Sequence, residues 1–183
     1  MKISESNKIL VLKKTIKNKN VILKPMNLNN INQKFINSIN KKEINQFTQI
    51  QKKKQNFQTC YDYYVDRLQK KDLYYSVNTS KHEFIGTVTM REITKYSAYF
   101  GILIFDKKYH GSEETKIATN IFLNYCFKKL LLNSIKVVTF KKSLGANFLY
   151  LTNNFKKFKS DKKYFHFKLN KNNFLKKYNY KVI

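Results

Sequence analysis

The stretch Phe84-Ile85-Gly86-Thr87-Val88-Thr89-Met90, followed by Ala98-Tyr99-Phe100-Gly101-Ile102-Leu103-Ile104 and then Tyr109-His110-Gly111, decides the fold. Two runs of β-branched and aromatic residues, each about a strand long and joined by a polar connection, read as neighbouring antiparallel strands. Residues 73–77 supply a third strand before them, and 97–105 bound the last of the three. The glycines sharpen this reading. The chain has four, Gly86, Gly101, Gly111 and Gly145, all within 60 residues of one another, and a chain so poor in glycine is expected to place each one where the backbone needs it. The segment that holds them is therefore where a site should lie.

Working outward, residues 20–26 read as a first strand, with Pro25 near its end, where a missing donor is tolerated. Residues 28–70 carry apolar side chains at helical spacing: Ile31, Phe35, Ile36 and Ile39 in one helix, Tyr61, Tyr64, Val65 and Leu68 in a second. Downstream, residues 115–131 form a helix with Ala118, Ile121, Phe122, Tyr125 and Cys126 on its apolar face. A strand over 135–140 and a helix over 143–153 follow. Residues 164–169 alternate cleanly, placing Phe165, Phe167 and Leu169 on one face and Tyr164, His166 and Lys168 on the other. The order predicts one α/β (α+β) domain, a mixed and mostly antiparallel sheet flanked by helices. Residues 1–17 read as an N-terminal extension and 18–183 as the domain.

The 183 residues suit one domain, and 42% apolar with 15% aromatic residues is enough for a packed core. Lys and Arg total 37 against 11 Asp and Glu, a net charge of +26. That balance raises nucleic acid as a partner, but Arg67 and Arg91 are the only arginines. Readers of phosphates and bases exploit the forked guanidinium, so scattered lysine fits compositional drift better, and nucleic acid is not the favoured partner. Cys60 and Cys126 cannot build a disulfide framework and sit in no metal-ligand spacing. Both are expected to be buried thiols. The N-terminal apolar run, residues 9–12, is too short for a signal segment or a membrane span, which predicts a cytoplasmic location.

The runs quoted at the outset resemble the central strands and cofactor loop of the GNAT acyl-CoA N-acyltransferases. Tyr125, Phe127, Leu130, Leu132, Asn133 and Ile135 fall at that family's helix-to-strand passage, and Tyr150 and Phe155 at its closing helix and turn. The likeness covers roughly residues 20–170. Within the superfamily, Phe35-Ile36-Asn37-Ser38-Ile39-Asn40 and Glu43-Ile44-Asn45-Gln46-Phe47 resemble the branch of ribosomal-protein N-terminal acetyltransferases and N-acetyltransferases of nucleotide-linked amino sugars.

The resemblance implies an acetyl-CoA-dependent N-acetyltransferase acting on a primary amine, that of a nucleotide-linked amino sugar in the leading reading. It implies acetyl-CoA as co-substrate, with Lys108, Tyr109, His110, Gly111, Ser112 and Lys116 around the pyrophosphate. Backbone N–H groups at a helix N-terminus favour such an anion. Ile102, Leu103 and Ile104 would hold the pantetheine arm where they separate from residues 135–140, and Ser143 would face the cofactor. Tyr150 is the implied acid for the leaving thiolate, and Glu92 a base for the amine. No metal is implied.

The chain departs from the family at the loop. The family pattern is Arg or Gln, two residues, Gly, one residue, then Gly or Ala; the positions here are Lys108, Gly111 and Glu113. Glu113 brings a side chain and a negative charge to a place meant for phosphate, and Glu114 adds another. Without a ligand, Ser112, Glu113 and Glu114 make a well-capped helix start. This departure carries one alternative, a GNAT-fold protein with weak or lost cofactor binding. The basic surface carries another, a ribosome- or RNA-associated protein N-acetyltransferase. Asn154 stands where the family has Gly, and Asn tolerates the left-handed backbone that Gly adopts there.

Overall fold

The computed structural model of the protein describes residues 14–48 and 52–178. Eight strands form one sheet in the order β1-β2-β3-β4-β5-β6-β8-β7. They are β1 (Ile16–Lys17), β2 (Val21–Pro25), β3 (Leu73–Thr79), β4 (Phe84–Arg91), β5 (Ser97–Ile104), β6 (Ser134–Phe140), β7 (Lys156–Ser160) and β8 (Tyr164–Asn170). Every neighbouring pair is antiparallel except β5 and β6. The helices are α1 (Gln33–Ile39), α2 (Lys42–Asn45), α3 (Phe57–Gln69), α4 (Glu113–Lys129), α5 (Leu144–Thr152) and α6 (Lys171–Tyr178). The mixed, mostly antiparallel sheet flanked by helices is the architecture that the order of runs predicts. Of the extension expected over 1–17, residues 1–13 lie outside the described ones, and Ile16 already pairs with Leu23 in the sheet.

Two cores sit on opposite faces of the sheet. On one face, Leu23, Tyr75, Val77, Val88, Met90 and Phe100 pack with Ala118, Phe122 and Cys126 of α4 in a single buried cluster. On the other, Ile31, Phe35, Ile36, Ile39 and Ile44 pack with Cys60 and Phe105, and Phe35, Phe84 and Phe105 contact one another ring to ring at 4.9–5.8 Å. We call these the α4 face and the α3 face. The alternation in β4 and β5 divides their residues: Val88, Met90, Ala98 and Phe100 on the first, Thr89, Arg91, Tyr99 and Leu103 on the second.

Gly86 and Gly111 do what their residue type suggests. A Cβ on Gly86 would lie 2.6 Å from both the Leu103 carbonyl oxygen and the Ile104 Cδ1, so only glycine lets β4 and β5 approach this closely. Gly111 takes φ +72°, the left-handed turn that feeds the chain into α4. Gly145 overturns the expectation that every glycine is needed: its Cβ would meet nothing within 4 Å, at the open start of α5.

The second expected helix is α3, and its inward face is the expected one only in part: Tyr64 packs against the core and Val65 is half-buried. Leu68 and Tyr61 are exposed, while Cys60 and Arg67 are buried. Arg67 is tolerated there because Asp72 Oδ2 accepts from its Nη1 at 2.5 Å and Asp66 also pairs with it. β7 and α6 have no forecast from the pattern. Lys156, Lys157 and Lys159 hide β7 among charges, and α6 seats Phe174 against Phe127, ring centroids 5.3 Å apart. Phe174 is fully buried.

Candidate functional site

The site follows from a failure of pairing. β5 and β6 run parallel and pair at three positions only, Ser97 with Ser134, Ala98 with Ile135 and Tyr99 with Lys136. Beyond Tyr99 and Lys136 both strands continue, to Ile104 and Phe140, without pairing to each other. At the far ends His110 takes the Ile104 carbonyl and Ser143 and Asn147 take that of Phe140; between those ends and the last pair the two strands offer backbone groups that need partners. Ile102, Leu103 and Ile104 all lie on the parted length of β5. The parting begins at Phe100 and Val137, two residues later on β6 than expected, because Ile135 is still paired.

α5 places Tyr150 beside the notch. Its ring packs against Phe100 of β5, Phe167 of β8 and Phe155 at centroid distances of 5.5–6.4 Å, and Phe100 is the first β5 residue beyond the last pair. The side chain is 5% exposed. Its hydroxyl makes no hydrogen bond to any described residue. Burial pushes the phenol up to about 12, with Arg91 pulling weakly the other way, so the hydroxyl keeps its proton at neutral pH. Asn154 closes α5 with φ 62°, the left-handed turn expected at that position.

The loop before α4 is tied down by side chains. His110 donates from Nε2 to the Ile104 carbonyl at 2.9 Å, and Thr115 Oγ1 donates to the Tyr109 carbonyl at 2.5 Å. Ser112 caps the helix, accepting the Thr115 N–H at 3.3 Å. Lys108 Nζ reaches Glu83 Oε1 at 2.9 Å, and the Tyr109 hydroxyl donates to Glu83 Oε2 at 2.8 Å. These two bonds hold the Glu83 carboxyl below the usual range and raise Lys108. Glu83 thus anchors the loop, a role that sequence reasoning missed, because 25 residues separate it from Lys108 and no local motif joins them. The amide N–H groups of Gly111, Glu113 and Glu114 find no acceptor among the described residues. Three donors are therefore unpaired at the positive end of a 17-residue helix. Glu113 is exposed and its carboxylate pairs with no described cation, so the departure from the family pattern stands open at the loop's surface. Lys116 is exposed one turn on.

The remaining expected residues lie apart. Ser143 precedes α5 and makes no capping bond. Glu92 follows β4 at φ 51°, exposed, with its own N–H donating to Asp72 Oδ1 at 3.0 Å. His166 pairs with Asp161 at 2.9 Å, on the α3 face.

On the α3 face, beside the notch, stands a residue to which no sequence signal pointed. Arg91 pairs with Tyr99 across β4 and β5, and Tyr99 with Lys136 across β5 and β6. The three share one face of the sheet. Arg91 is partly buried and its Nε is a fully buried donor without an acceptor, an arrangement that costs about 1–3 kcal/mol when no ligand answers it. The nearby carboxylate, Asp72, is already engaged by Arg67 and by the Glu92 amide. Among the described residues, no group of His, Cys, Asp or Glu could hold a metal ion, and no helix is long and apolar enough to cross a membrane. Both cysteines are buried free thiols.

No protein-family model matches the chain, and no curated protein does. Its fold is similar to that of solved acetyltransferases. Spermidine N-acetyltransferase from Vibrio cholerae, solved with CoA and spermine, superposes with a TM-score of 0.73 at 19% identity, over 86% of this chain and 99% of that one. RimJ from Mycobacterium smegmatis, solved with CoA-disulfide, gives 0.76 at 11% identity over 87% and 88%. Apo FdhC, a nucleotide-linked sugar GNAT, gives 0.72 at 17% over 90% and 94%. The chain thus has the fold of the GNAT acetyltransferases.

Proposed function

We propose that this protein is an acetyl-CoA-dependent N-acetyltransferase, acting on the primary amine of a nucleotide-linked amino sugar. The observation that carries the reading is the notch between β5 and β6, which has a protonated tyrosine at its side and three free amides at its mouth. In this reading the Gly111, Glu113 and Glu114 amides take the pyrophosphate. The parted edge of β5 from Ile102 to Ile104 pairs with the amide-bearing arm as an added strand would. Bound acetyl-CoA supplies an activated acetyl thioester. Tyr150 then donates its proton to the sulfur as the carbon–sulfur bond breaks and the amine nitrogen bonds the acetyl carbon. Glu92 is the proposed base, taking a proton from the amine through water.

Among the solved proteins of this fold are a spermidine enzyme with CoA and a nucleotide-linked sugar enzyme, which support the transfer to an amine. The resemblance to the nucleotide-amino-sugar branch supports the acceptor, and a cytoplasmic location belongs to the same reading. A second reading, a GNAT-fold protein with weakened cofactor binding, is favoured by the unpaired Glu113. Calorimetric titration with acetyl-CoA decides between them. A ligand at a hundredfold its Kd stabilises by about 2.7 kcal/mol, and the absence of both heat and thermal shift at millimolar acetyl-CoA would sink the enzyme reading.

A further inference from the structure

The row Arg91, Tyr99, Lys136 continues across the sheet, for Lys136 pairs with Lys168 and Lys168 with Lys156. Directly paired residues share a face, so four cations and one tyrosine cross five strands on the α3 face. No Asp or Glu occurs in β6, β7 or β8. The row meets the notch at its vertex, because Tyr99 and Lys136 are the last pair before the strands part. At this end the charges are also the least solvated: Lys136 is half-buried with its Nζ 5.7 Å from the Tyr99 ring centroid, and Arg91 keeps a buried, unanswered Nε. Arg91 and Lys136 stand two strand spacings apart, roughly 10 Å, with the tyrosine between them.

A partly buried guanidinium without a carboxylate partner among the described residues, with a lysine in the same state beyond the tyrosine, fits an anion with several acceptor oxygens. Guanidinium groups bind phosphates through such forked donors, and a tyrosine ring between the two cations offers a flat surface for an attached sugar or base. We propose that Arg91, Tyr99 and Lys136 bind the phosphate or diphosphate of the amine-bearing acceptor. The acceptor then enters from the α3 face with its anion on the row and its amine at the notch, opposite the loop that takes the cofactor. A polycation is excluded by the same charges. This inference rests on the acetyltransferase reading for the acceptor's role, while the anion site stands on the row alone.

Inorganic pyrophosphate, titrated by calorimetry into the full chain with and without saturating CoA, tests it. The expected result is binding that persists with CoA present and weakens at least tenfold in Arg91→Met and in Lys136→Met. Lys142→Met, which removes an exposed lysine off the row, keeps wild-type affinity. Thermal melts confirm that each variant is folded, and the half-buried Lys136 provides the test should Arg91→Met not fold. Equal weakening in all three variants assigns the anion to diffuse surface charge and overturns the proposal. So does an oligouridylate that binds more tightly than pyrophosphate with an affinity indifferent to Arg91→Met, or acetylation of spermidine that improves in that variant. Absence of CoA binding refutes the transferase reading instead, and the pyrophosphate comparison without CoA still decides the row.

Discussion

Tyr99 and Lys136 are the last paired residues of β5 and β6, and the Lys136 ammonium lies 5.7 Å from the Tyr99 ring. Below this pair the two strands are one sheet; above it they are the walls of a notch. The proposed site is arranged around that change, with Tyr150 beside it, the loop at its mouth and Arg91 on the neighbouring strand.

Tyr150→Phe removes the proposed acid without disturbing the packing of the ring. General acid catalysis contributes about a hundredfold or more, so kcat should fall by at least that factor while the affinity for CoA is kept. Burial places the phenol near 12, so wild-type activity should show no loss from this group up to pH 10. An unchanged kcat in the variant removes Tyr150 from the mechanism.

Glu113→Ala tests the loop. The carboxylate is exposed with no described cation paired to it, and in the proposed reading a like-charge contact with phosphate at 4 Å costs about 1 kcal/mol in water. The variant should bind CoA about fivefold more tightly by calorimetry. Weaker binding would show instead that Glu113 acts only as a favourable first-turn carboxylate.

Glu83 is held below the usual carboxylate range by its bonds from Lys108 and Tyr109. A depressed carboxyl stabilises the folded loop above the ordinary glutamate pKa, and that contribution is lost as pH falls through the lower, folded value. Amide exchange at Lys108 and Tyr109 should therefore remain slow down to pH 4.5 and accelerate below it. In Glu83→Gln it should be fast throughout, and protection indifferent to both acid and the substitution would rule out Glu83 as the anchor.

Gly86→Ala should destabilise the domain by about 1–3 kcal/mol, because its Cβ meets the Leu103 carbonyl at 2.6 Å and backbone cannot step aside. Urea unfolding measures this. Gly145→Ala, with open space around it, is the matched control and should be neutral or slightly stabilising in its helix.

Phe174→Ala removes a fully buried ring that packs on Phe127 of α4. A loss of about 3–5 kcal/mol is expected, seen as a lower denaturation midpoint. A near-neutral result would mean that α6 is not integral to the folded domain.

The strands from Leu73 to Ile104 were legible because alternation and β-branching report a half-buried pleated surface directly. The helix α4 was legible from its apolar period, and its cap from Ser112 and the two glutamates. Gly86 and Gly111 marked the close strand approach and the turn, since each needs a backbone that no other residue supplies freely. In α3 the apolar period was half right: Tyr64 packs inward, but Leu68 and Tyr61 face out, while Arg67 is held inside by Asp66 and by Asp72, beyond the helix end. The strand β7 was invisible because an edge strand of lysines carries no apolar alternation.

Thus most of the elements, the alternation of the central strands and the loop's turn are written in residues close along the chain, while β7 and α6 are not. The tertiary structure decided where β5 and β6 part, that Glu83 fastens the loop, and that Arg91, Tyr99 and Lys136 stand in one row. Those relations join residues that only strand register brings together, and register depends on the packing of the whole sheet rather than on any one stretch of it.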